Sequence, residues 1–170
     1  MVKLRDFEKS DSKRLVSLLN NKNIWDNLRD YIPYPYTEKD AIEYIDFCNS
    51  QNPITYFAIE YNGELVGSIG LILQRDVYRK SAEIGYWIGE SYWGKGITSK
   101  AAKLIVDYGF KKLDIVRIYT GIFDYNIASQ KVLTNNGFVN EGIFKNAIFK
   151  NGKLCDEVRF SIIKEVDSFD

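Results

Sequence analysis

A strand, a glycine-rich loop and a helix follow one another over residues 83–102, and this order constrains the fold more than any other stretch. Residues 82–88 alternate between two faces, with Glu83 and Gly85 on the same one, which predicts a strand. Apolar residues recur at helical spacing from Ile97 onward. The loop therefore has to connect the end of a strand to the N-terminus of a helix.

The loop has the composition of an anion site. Gly94 and Gly96 flank Lys95 directly before the helix, and Lys100 and Lys103 add positive charge nearby. Glycine lets a ligand approach the backbone closely, and the first N–H groups of a helix have no partners within the helix. The sequence therefore predicts that a phosphate or pyrophosphate binds here.

Two common phosphate-binding motifs do not fit this loop. Gly89, Gly94 and Lys95 match a P-loop, but Gly96 stands where that motif needs a magnesium-binding hydroxyl. A dinucleotide-binding fingerprint fails because Ser99 occupies the position of its third glycine and the preceding strands form hairpins. An ordinary glycine turn before a helix stays open at this point.

The composition is that of one globular domain. With 170 residues, of which 45% are hydrophobic, the chain can bury a substantial core, so we expect a single domain over residues 1–170. Lys and Arg number 23, as do Asp and Glu, so net charge provides no attraction to nucleic acid or an anionic membrane. Without a long apolar stretch or a secretory leader, we expect a cytoplasmic protein with no membrane partner.

The absence of histidine excludes several mechanisms. Ser-His-Asp and Cys-His catalysis are impossible, and a zinc site would need Cys48, Cys155 and carboxylates, which form a poor ligand set. We therefore expect no metal, and two free thiols. Proton transfer must fall to Asp, Glu, Tyr, Lys, Cys or water.

The rest of the chain reads as strands joined by short turns and helices. Asn62-Gly63 and Asn151-Gly152 predict hairpin turns. Further strands are predicted over Leu4–Phe7, Tyr56–Tyr61, Glu64–Leu73, Val116–Phe123, from Phe138, over Ile143–Lys150 and over Leu154–Ile163. Ser10-Asp11 offers N-cap oxygens to a helix with Leu15, Leu18 and Leu19 inward. Thr37 and Asp40 resemble a capping box and predict a helix that ends near Asn49, with Ile42, Ile45 and Phe47 inward. A third helix is predicted over residues 126–136, with Asn126 as N-cap. The end of the chain from Glu165 is expected to fray.

Two strands carry glycine in their interior. The helix after the glycine loop must cross over, so the strand that contains Gly121 is expected to lie parallel to the strand that contains Gly85. Interior glycine often marks a place where a ligand approaches the backbone, so the pair is expected to splay and admit one. Residues 20–36, rich in aromatic side chains, predict a loop or broken helix, for which core packing and substrate contact both stay open.

The combined pattern resembles the GNAT acetyltransferase superfamily, and within it the ribosomal-protein N-terminal acetyltransferases of the RimJ and RimL type. The resemblance rests on five segments in order and spacing, at residues 82–88, 93–98, 126–129, 137–138 and 141–144. It covers nearly the whole chain. Together these segments are far more specific than any one of them.

The resemblance implies an α+β fold with a mixed, mostly antiparallel sheet, helices on both faces and two splayed central parallel strands. It implies direct transfer of the acetyl group of acetyl-CoA to a primary amine, with a protein N-terminal α-amino group as the preferred acceptor. A small amine, such as a polyamine or an aminoglycoside, is the alternative acceptor. A coenzyme A-binding module without catalysis is the alternative class, and monomer and homodimer both stay open.

The resemblance also assigns roles to residues, with Glu83 as general base and Ser129 as acid toward the leaving thiolate. Ser129 is preferred because Leu133 stands where many members carry a tyrosine. A structural glutamate, an ordinary serine and a plain N-cap at Asn126 remain the alternatives. Acetyl-CoA is expected to contact Trp87, Ile88, Trp93, Gly94, Lys95, Gly96, Ile97, Thr98, Asn126 and Ser129.

Overall fold

The computed structural model describes residues 1–165, so the expected fraying beyond Glu165 lies outside the described residues. Within these residues, seven strands and five α-helices follow one another along the chain. They are β1 (Val2–Arg5), α1 (Ser12–Leu19), α2 (Lys22–Trp25), α3 (Glu38–Asn49), β2 (Tyr56–Tyr61), β3 (Glu64–Leu73), β4 (Ser81–Ile88), α4 (Ile97–Lys112), β5 (Arg117–Phe123), α5 (Ile127–Thr134), β6 (Val139–Lys150) and β7 (Lys153–Ile163).

The strands form a seven-stranded sheet in the order β1-β2-β3-β4-β5-β7-β6. β1 pairs antiparallel with β2, β2 with β3, β5 with β7 and β6 with β7. β4 and β5 pair in parallel, as the predicted crossover requires. The predicted α+β class with a mixed, mostly antiparallel sheet is confirmed.

By contact density the chain divides into two compact units, each built from two segments. Unit 1 comprises Met1–Gly70 and Tyr86–Ala101, and unit 2 comprises Leu71–Gly85 and the chain from Ala102 onward. β3, β4 and α4 each contribute residues to both units. The single domain over residues 1–170 stays a prediction.

In unit 1, α3 begins and ends where the sequence predicted but turns a different face inward. The Thr37 hydroxyl and the Asp40 carboxylate form the predicted capping box. Ile45 is buried, whereas the predicted core residues Ile42 and Phe47 are 43% and 47% exposed, so that part of the prediction was wrong. The buried stripe of the helix is Ala41, Ile45 and Cys48.

The start of the chain also differs from the prediction. β1 lies two residues earlier than expected, because its residues pair with residues 58–61 of β2. Leu15, Leu18 and Leu19 are buried as predicted. Asp11 does not cap α1 through its side chain, because its carboxylate accepts hydrogen bonds from the Arg5 guanidinium at 2.7 and 2.9 Å.

The aromatic segment over residues 20–36 is a broken helix, as predicted. It contains the short helix α2, which Asn21 caps through its side chain. The indole N–H of Trp25 donates to the carbonyl of Ile32 at 2.9 Å. Tyr36 is 5% exposed and belongs to the core of unit 1. For Tyr36, core packing is therefore the observed role.

In unit 2, β6 is one long strand where the sequence predicted two. The pairing of β6 with β7 shifts register twice, so bulges interrupt the alternation without ending the strand. The Asn151-Gly152 turn has φ values of 50° and 75°, as a two-residue hairpin turn requires. A Cβ at Gly109 of α4 would lie 3.2 Å from Ile118, so this helix packs closely on the apolar face of β5.

The two cysteines are free thiols, as predicted, and they lie in different environments. Cys48 is fully buried, and burial raises the pKa of its thiol to about 12. We expect iodoacetamide at pH 8 to alkylate Cys155 in the native protein and to spare Cys48, since the thiolate is the nucleophile. Mass spectrometry of peptides from native and denatured protein measures this. Equal alkylation of Cys48 in both states would contradict the buried position.

Candidate active site

In unit 1, the end of β4 leads through a 3₁₀ turn over Glu90–Tyr92 into the glycine loop and then into α4. Gly94 and Gly96 have φ values of +72° and +70°. Apart from the adjacent residues, no atom of residues 1–165 lies within 4 Å of the position that a Cβ would occupy on either glycine. Side chains rarely adopt this backbone region, so the conformation explains both glycines. The space above them is open to a ligand.

The helix that follows the loop suits an anion. α4 begins at Ile97, which is 2% exposed, and its first turn carries no acidic residue. The N–H groups at the start of a helix have no partners within the helix and carry the positive end of its dipole. The loop and the first turn of α4 therefore have the features of an anion site.

Side chains on either side of the loop hold it in place. The indole N–H of Trp93 donates to the carbonyl of Ile88 at 3.0 Å. The Lys95 ammonium lies 5.5 Å from the centre of the Tyr92 ring. Trp93 is 45% exposed, so one part of its ring anchors the loop and another part faces outward.

A network around the 3₁₀ turn was missed by sequence reasoning. The Arg14 guanidinium donates to the Tyr92 hydroxyl at 2.8 Å, and that hydroxyl donates to Glu64 at 3.0 Å. Hydrogen bonds from two side chains lower the pKa of Glu90. The bond from Asn21 has the larger effect and the bond from Asn23 the smaller. These residues are spread over three segments of the chain, and no local pattern links them.

Close packing of β3 against β4 was missed as well. A Cβ at Gly67 would lie 2.3 Å from the carbonyl oxygen of Trp87, so glycine is needed at this position. The N–H of Gly89 donates to the carbonyl of Val66 at 2.8 Å. The end of β4, with Trp87 and Ile88, is thereby held against β3. An interior glycine in a strand was the available signal.

In unit 2, the parallel ladder between β4 and β5 is short. It joins Ser81, Ala82 and Glu83 to residues 117–119 and ends at the pair of Glu83 with Tyr119, although both strands continue. Glu83 is partly buried, and Gly85 is the next residue of the same face. Within the described part of the chain, no atom outside the adjacent residues lies within 4 Å of a Cβ position on Gly85. Glu83 therefore lies at the end of the ladder beside open space.

Gly121 on β5 has a different role from the predicted one. A Cβ on Gly121 would lie 2.2 Å from the carboxyl carbon of Glu157. The missing side chain of Gly121 therefore makes room for a carboxylate of the protein itself. The antiparallel pairing of β5 with β7 explains this, because Glu157 comes from the neighbouring strand.

Two arginine–glutamate pairs lie on the same face as Glu83. Arg159 donates to Glu157 at 3.0 and 2.5 Å, and Arg117 donates to Glu141 at 2.8 and 2.5 Å. The hydrogen bond from Arg117, together with one from Ser161, lowers the pKa of Glu141 to about 2. Sequence analysis did not single out these residues, although polar residues at every second position of β7 were a signal.

The start of α5 contains the remaining predicted residues. The side-chain oxygen of Asn126 accepts a hydrogen bond from the backbone N–H of Ser129 at 3.1 Å, so Asn126 is the N-cap. Ser129 itself is partly buried. Leu133 is fully buried, so it packs in the core. The cofactor role of Asn126 and the acid role of Ser129 stay predictions.

Comparisons with known proteins agree with this geometry. Residues 2–139 match the family described as the acetyltransferase (GNAT) domain. The uncharacterised N-acetyltransferase p20 of Bacillus licheniformis is 32% identical over 136 residues, 76% of each chain. The spermidine N(1)-acetyltransferase of Escherichia coli strain K12 is 30% identical over 166 residues, 96% of this chain and 86% of that protein. A solved structure of RimL, a ribosomal L7/L12 alpha-N-protein acetyltransferase, with coenzyme A is 26% identical, with a TM-score of 0.85, and covers 98% of this chain and 96% of that one.

The fold and the glycine loop define an acetyl-CoA-dependent N-acetyltransferase. The chain belongs to the GNAT acetyltransferase family, which confirms the predicted resemblance. Among residues 1–165, side chains of metal-binding types form no group of three or more that could hold an ion. In the same part of the chain, every helix is too short or too polar to cross a membrane.

The glycine loop can be tested with a matched pair of variants. We expect Gly96→Asp to weaken acetyl-CoA binding at least tenfold, because its carboxylate would meet the phosphates of the ligand. Gly63→Asp is the control, since Gly63 also has positive φ and open space but lies in the β2–β3 turn. Isothermal calorimetry with acetyl-CoA measures both. Equal affinities for the two variants would rule out this position for the pyrophosphate.

Proposed function

We propose that this N-acetyltransferase acts on the α-amino group of a protein N-terminus, with Glu83 as the general base. The observation that supports the proposal is the position of Glu83, at the last pair of the β4–β5 ladder and on the same face as the open space at Gly85. A general base must lie within reach of the group it deprotonates, directly or through one water. The open space beside Glu83 meets this requirement.

The proton chemistry favours an α-amino group. An amine attacks only in its uncharged form, and the unperturbed pKa is near 7.7–8.0 for an α-amino group and near 10.4 for lysine. At pH 7 roughly a tenth of the α-amino groups are therefore uncharged, against under a thousandth of lysine side chains. A single carboxylate, acting directly or through water, suffices for the α-amino group.

Acetyl-CoA supplies the activated acetyl group, and the chain supplies positions for it. The proposed binding residues in unit 1 are Trp87, Ile88, Trp93, Gly94, Lys95, Gly96, Ile97 and Thr98. In unit 2 the proposed residues are Asn126, the N-cap of α5, and Ser129. Ser129 is the proposed donor of a proton to the departing thiolate. The backbone N–H of Ser129 donates to the side-chain oxygen of Asn126. The side-chain hydroxyl is the group proposed to donate the proton.

A small polyamine is the second candidate acceptor. It is supported by the similarity to the Escherichia coli spermidine N(1)-acetyltransferase, which is 30% identical over nearly the whole chain. The similarity to RimL, named for α-amino acetylation of a ribosomal protein, supports the first candidate. Turnover of a panel that contains peptide amides, spermidine and an aminoglycoside separates the two.

The role of Glu83 can be measured directly. We expect Glu83→Gln to lower kcat with a competent acceptor about 10²–10⁴-fold, with acetyl-CoA affinity unchanged, because the amide cannot accept the proton. Thiol release between pH 6 and 9 measures the rate. Glu60→Gln is the control. It removes a β2 carboxylate that accepts a hydrogen bond from Arg5 of β1, and it should retain turnover. Normal turnover by Glu83→Gln would exclude Glu83 as the base. A wild-type protein that binds acetyl-CoA but acetylates no amine would favour a non-catalytic coenzyme A-binding module.

The proposed acid can be tested without disturbing the helix cap. Ser129→Ala keeps the backbone N–H that Asn126 accepts, so we expect the thermal midpoint to change by less than about 2 °C. If Ser129 donates the proton, kcat should fall about 10- to 100-fold. The loss should shrink with an acetyl thioester whose thiol has a lower pKa, because that thiolate leaves without a proton. An equal loss with both thioesters would contradict the role.

A further inference from the structure

We infer that Arg159 recognises a main-chain carbonyl of the acceptor and so selects peptides over simple amines. The inference rests on the proposed function and names a specificity-determining residue for it. It follows from four features of unit 2: the position of Arg159 relative to Glu83, the way its guanidinium is held, the N–H donors that it keeps, and the charge of its surroundings.

Arg159 lies on the same face of the sheet as Glu83. Glu83 pairs with Tyr119 of β5, and Arg159 of β7 pairs with Gly121, two residues further along. Paired residues share a face, so all of these positions point the same way. The two backbones are separated by two strand spacings, about 10 Å, and by one step of about 7 Å along the strands. The side chains of Glu83 and Arg159 extend from the two backbones toward a ligand. Together with a short peptide, at about 3.5 Å per residue, they span that separation.

The guanidinium of Arg159 is held rigidly. Its centre lies 4.5 Å from the centre of the Phe144 ring and 5.9 Å from that of the Tyr119 ring. Two hydrogen bonds fix it to one oxygen of Glu157, whose carboxylate fills the space at Gly121. Tyr119, the more distant of the two rings, is the residue that pairs with Glu83 at the end of the β4–β5 ladder.

Arg159 keeps N–H donors for a ligand. A guanidinium carries five N–H donors. Within residues 1–165, Arg159 donates hydrogen bonds to Glu157 through Nε and Nη2. Nη1 makes no hydrogen bond within those residues, and the side chain is 37% exposed. Arg117 is the contrasting case on the same face, because both of its terminal nitrogens are engaged by Glu141.

The charges nearby favour a neutral carbonyl over a charged group. Glu157 and Glu141 are each paired with an arginine, at 2.5 Å in both cases. The second ammonium of a polyamine would be repelled by the guanidinium of Arg159. The carboxylates of the two pairs already neutralise their own arginines. A free carboxylate would meet Glu157. A peptide carbonyl carries no charge and accepts the hydrogen bonds that the remaining N–H groups offer.

The test compares a peptide acceptor with a simple amine that has no carbonyl. An alanyl pentapeptide amide carries the α-amino group next to a main-chain carbonyl, and isopropylamine carries an amine on the same carbon skeleton without it. We expect Arg159→Gln to lower kcat/KM about 10- to 100-fold for the peptide and less than twofold for isopropylamine. Calorimetry of the peptide with protein saturated with coenzyme A should show the same loss of affinity.

Matched variants separate recognition from structure. Arg117→Gln removes an arginine that also lies against Tyr119, at 5.8 Å, and it should leave the peptide-to-amine ratio unchanged. Arg159→Lys keeps the charge beside Glu157 but lacks the planar fork, so it should show the same selectivity loss as Arg159→Gln. Circular dichroism and the thermal midpoint confirm that each variant is folded.

Each outcome decides the inference. An equal loss for peptide and isopropylamine in Arg159→Gln, or no loss for either, would overturn the role of Arg159 and leave the proposed acceptor class intact. A wild-type enzyme that acetylates spermidine but no peptide amide would overturn the proposed acceptor class and the inference with it. A loss confined to the peptide, in turnover and in binding, supports the role of Arg159 and the proposed acceptor class.

Discussion

Three parallel pairs hold β4 to β5, and the proposed chemistry depends on where they stop. The last pair contains Glu83, and the next position on its face is Gly85, above which the space is open. A carboxylate in the middle of a continuous ladder would have paired neighbours on both sides. At the end of the ladder it lies beside open space, and its proposed role as a general base rests on that position.

Glycine serves this protein in physically different ways. At Gly94 and Gly96 it permits a positive φ, which turns the loop into the start of α4. At Gly67 it permits the backbone of Trp87 to approach, and at Gly121 it makes room for the carboxylate of Glu157. A glycine in a sequence therefore indicates that space or conformation is needed, and its neighbours decide which.

The polar face of unit 2 combines the Glu83 carboxylate with two arginine–glutamate pairs. In each pair the carboxylate neutralises the guanidinium, and exposed ion pairs of this kind contribute little stability. Their consequence is geometric. Arg117 is fully engaged by Glu141, whereas Arg159 is oriented by one oxygen of Glu157 and by two aromatic rings. The two arginines thus share a surface but differ in what they can offer a ligand.

The sequence by itself determined the features that depend on neighbouring residues: the hairpin turns, the cap of α3, the crossover between β4 and β5, and the glycine loop. Those features follow from local backbone chemistry and from strand and helix periodicity. The inward face of α3, the partner of Asp11 and the filling of Gly121 by Glu157 were decided by tertiary structure alone. They depend on contacts between segments far apart in the chain, and a local pattern carries no record of which distant side chain takes up the available space.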